Sequence, residues 1–197
     1  LFRSETFLAK KAVPRETIAL FSSQCGDLLL KLKNITLYRV GHLGKVISII
    51  NQKGGVGKTT SAINLAASLA VAERQTLLID FDPQGNASSG LGFSADKVSG
   101  KTIYEALVGQ VGLDSTILET ELPGLYLVPA DQNLSGAEVE LVGAIAREQK
   151  LKKVIESVRD RFHYILIDCP PSLGLLTINA LTASDSYLVP MQCAYFS

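Results

Sequence analysis

Short runs of consecutive apolar residues alternate along this chain with stretches in which apolar residues recur every three or four positions. The run Lys45-Val-Ile-Ser-Ile-Ile-Asn51 is β-branched and apolar and predicts a strand. It stops at a glycine-rich stretch, after which Ala62, Leu65, Ala66 and Leu69 recur at helical spacing and predict a helix over 59–73. Thr76-Leu-Leu-Ile-Asp80 is a near-continuous apolar run, the pattern of a strand covered on both faces in a parallel sheet. The alternation then repeats: strands at 125–128, 164–168 and 187–189, a mostly helical stretch over 135–158 and a helix over 173–183. Strands separated by helices require crossover connections, which predicts an α/β fold with a mostly parallel sheet and helices on both faces. The last predicted strand runs almost to Ser197, so the sheet is expected to lack its C-terminal closing elements.

Composition narrows the class. Of 197 residues, 47% are hydrophobic and 19% charged, too apolar for a disordered chain and too poor in charge for a coiled coil. The apolar runs at 46–50 and 165–167 are far shorter than the roughly 18 residues that a membrane-crossing helix needs. Nineteen Lys and Arg balance nineteen Asp and Glu, so no global basic field marks an obligate nucleic-acid binder. The balance is uneven, because residues 1–44 carry 7 basic and 3 acidic side chains and the remainder is net acidic. Residues 1–44 also lack a sustained period of 2 or 3.6, and Glu5, Glu16 and Asp27 disqualify them as a secretory or transit peptide. They are read as an extension: poorly ordered, foreign to the natural product, or a small accessory element. The domain proper is expected over 45–197.

Three cysteines, Cys25, Cys169 and Cys193, show no CxxC spacing and suggest neither a disulfide framework nor a zinc site, so a reducing cytoplasm is the expected setting. His42 and His163 have no second ligand at metal spacing and are read as ordinary histidines.

The most specific chemistry lies in Lys53-Gly-Gly-Val-Gly-Lys-Thr-Thr60, between the first strand and the first helix. Gly54, Gly55 and Gly57 let the backbone curl so that successive N–H groups, Val56 among them, face inward, and the helix that follows adds the positive end of its dipole. A polyphosphate is the guest that fits such a nest. Lys58 can reach its β- and γ-phosphates, and the Thr59 hydroxyl, with Thr60 beside it, can ligate the Mg²⁺ that bridges them. Asp80 and Asp82 stand two apart at the end of an apolar strand, on the carboxyl edge of the sheet where ligands bind. Asp168 ends Tyr164-Ile-Leu-Ile-Asp168, a hydrophobic strand closed by a carboxylate of the kind that holds Mg²⁺ directly or through water. A hydrolase using two of these carboxylates as acid and base is the rival explanation, but it leaves the phosphate loop without a purpose.

The loop departs from the general GxxxxGK[ST] pattern, having Gln52 where a glycine would stand and a lysine at 53. In this it resembles the deviant Walker A motif, KGGxGK[ST], of the ParA/MinD superfamily of P-loop ATPases. Asn51-Gln52-Lys53 before the glycines and Asp80-Phe-Asp-Pro-Gln-Gly-Asn86 resemble the ParA/Soj chromosome and plasmid partition branch, and the likeness runs from about Lys45 to Ser197. The resemblance implies Mg²⁺-dependent ATP hydrolysis and a nucleotide-sandwich homodimer in which Lys53 reaches the partner's phosphates. It also implies that Asp82 positions the attacking water and that Asp80 sits near the water shell of the metal. Cys169-Pro-Pro-Ser172 resembles the family's second switch segment. The related nitrogenase iron protein bridges its subunits with an iron–sulfur cluster, but no second cysteine here matches that use of Cys169, which is read as a small buried residue.

Kinship also implies nonspecific DNA association in the ATP state, a ParB-type centromere-binding partner, no membrane, and a cytoplasmic protein that joins the nucleoid when ATP-bound. The chain's own basic cluster, Lys150, Lys152, Lys153, Arg159 and Arg161, is interleaved with Glu148, Glu156 and Asp160 and reads more readily as a solvated helix face than as a DNA contact. The alternatives are a MinD-like regulator that cycles on membranes through a C-terminal amphipathic helix, or an inactive truncated nucleotide-binding fragment.

Overall fold

The computed structural model describes residues 44–192, so the expectations for the 1–44 extension, Cys25 and His42, and for Cys193, fall outside the described residues. Strands β1 (Lys45–Ile49), β2 (Thr76–Asp80), β3 (Leu118–Glu119), β4 (Leu125–Val128), β5 (Tyr164–Asp168) and β6 (Ser186–Leu188) form one sheet in the order β3-β4-β2-β5-β1-β6. Every pairing is parallel except the short antiparallel β3–β4 edge. The expected mostly parallel α/β sheet is the observed one. β2 lies at its centre, and all five of its residues are buried because both faces are covered.

Side-chain alternation along the strands divides the core in two. Leu78, Leu125, Leu127 and Leu166 face helix α1 (Lys58–Val71), which buries the stripe Ala62, Ala66 and Ala70 against them. Three alanines four residues apart keep this helix face flat, so its axis lies close to the sheet and its first turn sits directly above the end of β1. Leu77, Ile79, Val128, Ile165 and Ile167 face the other way. There they meet α4 (Ile103–Val108), α5 (Leu134–Glu140), α6 (Lys150–Glu156) and α7 (Leu175–Ala183), through Ile103, Leu134, Leu151, Ile155 and Leu176.

The mostly helical stretch expected over 135–158 is observed, but in pieces. Between α5 and α6 the chain breaks into two 3₁₀ turns, Leu141–Gly143 and Arg147–Gln149, with Ala146 at a φ of 51°. The cause is tertiary. An uninterrupted helix would bond the Leu151 N–H to the Arg147 carbonyl, but the buried Asn179 side chain of α7 takes both groups, accepting from Leu151 N at 3.1 Å and donating to Arg147 O at 2.9 Å. One side chain substitutes for one turn of helix and ties α6 to α7.

Three short helices, α2 (Asn86–Gly90), α3 (Ala95–Val98) and α4, fill a region to which the apolar pattern assigns no element. α4 is fixed by a capping box, in which Thr102 Oγ1 accepts from Tyr104 N while Glu105 Oε2 accepts from Thr102 N at 2.8 Å. Thr102 is fully buried, so Thr102→Ala is expected to cost about 1–2 kcal/mol. Calorimetry should show this as a melting midpoint roughly 3–6 °C lower.

Candidate functional site: a phosphate loop facing three carboxylates

β1 delivers the chain to residues 50–57 and α1 begins at Lys58, so the glycine loop spans a strand end and a helix start as the sequence predicts. Gly55 and Gly57 have φ of 74° and 89°, a region that side-chain-bearing residues rarely enter, and a Cβ on Gly54 would project into open space with nothing within 4 Å. The loop backbone is thus open to approach from outside. No side chain caps the first turn of α1 and no acidic residue stands in it, so its N–H groups and dipole face the loop uncompensated. The helix therefore presents positive potential where Val56, buried, closes the loop floor.

Lys58 is buried to 7% exposure, and its Nζ donates to the carbonyl of Lys53 at 3.3 Å, folding back over the loop. Thr59 is half-buried and Thr60 exposed on the same turn. Lys53 is exposed at the loop tip, with its backbone N–H held by Asn51 Oδ1 at 2.9 Å. Asn51 in turn donates to Pro190 O at 2.8 Å, and Gln192 Nε2 donates to Gly55 O at 3.0 Å. The segment after β6 thus braces the phosphate loop, a role that no local motif in Asn51 or Gln192 announces.

Parallel registry brings the acids together. Asp168 at the end of β5 pairs with Ile49 of β1 on one side and Asp80 of β2 on the other. Asp80 and Asp168 are fully exposure-free and Asp82 is 7% exposed. Their surroundings differ. Asp80 Oδ2 accepts from Ser88 N at 2.8 Å and from Ser88 Oγ at 2.7 Å, and its Oδ1 accepts from Asp82 N at 3.3 Å. Asp82 Oδ1 accepts from Gln84 N at 3.0 Å, which sets its turn. Neither oxygen of Asp168 has a hydrogen-bond partner among the described residues.

A buried carboxylate without partners is costly, and the molecule shows the strain electrostatically. Burial above all, reinforced by the Asp80 and Asp82 charges, pushes the Asp168 carboxyl up to about 7, against the pull of Thr59 and Lys58 toward the ionised form. Burial likewise raises Asp80 to about 6, restrained by its bonds from Ser88. Unfolding returns both to ordinary carboxylate behaviour, so the native state holds more protons between pH 4 and 7 and its stability falls as pH rises through that window. Metal-free protein is therefore expected to melt at a lower temperature at pH 8 than at pH 5. The difference should shrink in Asp168→Asn.

The donor set fits magnesium bound with a nucleotide. Among the described residues no cluster of three His, Cys, Asp or Glu could cage a metal ion unaided. Mg²⁺ does not need such a cage, since it keeps several waters and is held by one or two protein oxygens together with phosphates. Asp168 offers two unpartnered oxygens beside Thr59 and Lys58, whereas both oxygens of Asp80 are already engaged.

Other candidates settle into structural roles. Cys169 is 1% exposed, its thiol pushed up to about 12 by burial, and Sγ lies 3.7 Å from Ile167 O, as a small buried residue should. His163 Nδ1 accepts from Gln75 N at 3.0 Å. In the basic cluster, Arg159 pairs with Glu156 and Asp185 and donates to Gly44 O, and Arg161 pairs with Asp114, so two of the five cations hold the fold together. The sequence reading missed Ser88, whose only local signal is its place in a short helix after an aspartate-rich turn.

A family of proteins described as the AAA domain matches residues 44–197. The chromosome partitioning protein ParA of Myxococcus xanthus is 57% identical over 155 residues, which cover 79% of this chain and 54% of that protein. The sporulation initiation inhibitor protein Soj of Bacillus subtilis is 52% identical over the same length, covering 79% of this chain and 61% of Soj. The chain thus spans little more than half the length of these curated relatives. Among solved structures, cobyrinic acid a,c-diamide synthase of Mycobacterium smegmatis, with bound ATP analog and magnesium, superposes with a TM-score of 0.75 at 40% identity, covering 78% of this chain and 62% of that one. With its deviant glycine loop intact in both sequence and geometry, the chain belongs to the AAA domain family, in the ParA/Soj branch of P-loop proteins.

Proposed function

We propose that this protein binds ATP and Mg²⁺ at Lys53–Thr60 and hydrolyses the nucleotide, the cycle serving as a dimerisation switch in chromosome or plasmid partitioning. The observation that carries the reading is Asp168, a buried carboxylate with two unpartnered oxygens at the foot of an empty-armed phosphate cradle. Bound Mg²⁺ would neutralise charge on the β- and γ-phosphates, with Thr59 and Asp168 holding it directly or through water. Asp80 supports the neighbouring turn and the outer water shell.

The chain's own groups divide the work. Gly54, Gly55, Val56, Gly57 and Thr60 contribute backbone N–H groups to the triphosphate, and Lys58 sets a cation against its last two phosphates. Asp82, on the turn that Gln84 fixes, orients a water for attack on phosphorus and accepts its proton. Lys53 stands exposed at the loop tip, where it can reach the phosphates of a second subunit and offset charge developing in the transition state, as an arginine finger does. ATP would then join two subunits, and phosphate release would relax the segments after Asp80 and Asp168 and part them.

The relatives named for chromosome partitioning and for Soj are more identical to this chain than the diamide synthase, 57% and 52% against 40%, which favours a partition role over amide formation. Nonspecific DNA in the ATP state and a ParB-type centromere-binding protein are the corresponding partners, and a cytoplasmic, nucleoid-associated location follows. Among the described residues no helix is long and apolar enough to cross a membrane.

Sedimentation of the intact protein with ATP and Mg²⁺ tests the cycle. The dimer is expected with ATP, the monomer with ADP, and DNA retention with the dimer alone. A monomer that hydrolyses ATP at full rate without DNA retention contradicts the partition switch.

A further inference from the structure

Asp82 can act on a water only if its turn is held still, and the turn follows the end of β2 rather than belonging to the sheet. Phe81 N donates to Asp168 O at 2.9 Å and keeps one residue beyond the strand in register, but Asp82 lies past that anchor. The next restraint is the carboxylate of Asp80, whose Oδ1 accepts the Asp82 N–H. Gln84 N and Gly85 N bond back to Asp82 within the turn, whereas the Asp80 bond ties the turn to the strand, so what fixes Asp80 helps to fix Asp82. Its other oxygen is gripped twice by Ser88, through N at 2.8 Å and Oγ at 2.7 Å. A hydroxyl has one proton to donate and lone pairs left to accept. Ser88 gives the proton to Asp80 and accepts from Ala130 N, at the end of β4, at 3.1 Å. Asp80, Ser88 and Ala130 are all buried, at 0%, 2% and 3% exposure, so no water replaces a lost link.

We propose that Ser88 is a positioning residue for hydrolysis: it clamps Asp80 against the end of β4 and thereby holds the Asp82 turn in its working place. The proposal rests on the ATPase reading and deepens it. The same serine lines a cleft of about 240 Å³ with Gln84, Phe93, Asp131 and Asn133.

The mechanism makes a demand that simple destabilisation does not. Ser88→Ala in the intact protein is expected to lower kcat roughly tenfold or more, while the Kd for a nonhydrolysable ATP analogue stays within about twofold. Ser88→Thr, which keeps the hydroxyl, should restore kcat. In an Asp82→Ala background, adding Ser88→Ala should cost nothing further, because the two act in series. If Ser88→Ala does not fold, Ser88→Cys keeps the volume with a weaker donor, and its kcat should fall with analogue affinity intact. Full kcat in Ser88→Ala or Ser88→Cys, analogue affinity falling in step with kcat, or an additive loss on Asp82→Ala would each overturn the clamp. Failure of the ATPase reading looks different, since there Asp82→Ala itself would leave turnover unchanged.

Discussion

Lys58→Ala is expected to weaken ATP binding by two orders of magnitude or more, with little effect on the fold. The ammonium is buried to 7% exposure beneath the glycine loop and donates to a loop carbonyl, that of Lys53, at 3.3 Å. Its removal takes away no apolar core side chain. It removes the cation closest to the phosphate nest, and a charged pair near a protein surface is worth about 4 kcal/mol at 4 Å before desolvation is subtracted. A net loss of about 3 kcal/mol corresponds to roughly a hundredfold in affinity. Titration of a fluorescent ATP analogue measures it, and circular dichroism of the same sample confirms that the helices survive. Binding within threefold of wild type would mean that the loop does not grip phosphate through Lys58.

Asp82→Ala is expected to do the reverse, abolishing turnover while nucleotide remains bound. The carboxylate accepts from Gln84 N on a buried turn that follows β2, and its second oxygen is not engaged as both oxygens of Asp80 are. Positioned bases contribute about 10²–10⁴ to rate, so the variant should hydrolyse ATP at least a hundredfold more slowly. Removing its charge also lightens the repulsion that raises the Asp168 carboxyl, which favours the ionised, metal-holding form of that residue. ATP affinity should therefore be kept or improved, and the ATP-bound dimer should persist in sedimentation long after wild type has returned to monomer.

Where a strand is buried on both faces, its boundaries are legible in the residues. β2 and β5 are apolar to their last carboxylate because both faces are covered, so Thr76–Asp80 and Tyr164–Asp168 are read at their true ends, and so is Leu125–Val128. The phosphate loop is legible for a different reason: its positive-φ glycines, its lysine and its Thr-Thr pair serve one chemistry and occupy consecutive positions. What escapes is information held at a distance. The break before α6 is written at Asn179, 28 residues beyond Leu151, and a helical period read over 135–158 has no means of sensing it. Thr102 and Glu105 spell a capping box that the sequence does announce, yet α4 has only six residues and too short an apolar period to register alone. Ser88 gains its importance from Ala130, 42 residues away just beyond β4. The registry that sets Asp80 beside Asp168 likewise follows from β2 and β5 being neighbours, which strand patterns alone leave open.

The same distance explains why the three acids take unequal parts. Asp80 and Asp168 hold equivalent positions at the ends of neighbouring strands, but tertiary partners give Asp80 to the turn and leave Asp168 unsatisfied. Removing Asp168 should thus relieve the metal-free protein at neutral pH while depriving the loaded one of its metal anchor, a sign reversal between the two states.

Calorimetric titration of ATP into wild type and Asp168→Asn, each with Mg²⁺ and with chelator, probes the site most directly. Wild type should bind ATP at least about tenfold more tightly with Mg²⁺ than without, about 1.4 kcal/mol, and the variant should show no such gain. An Asp168→Asn protein whose ATP affinity responds to Mg²⁺ as fully as wild type would contradict the account.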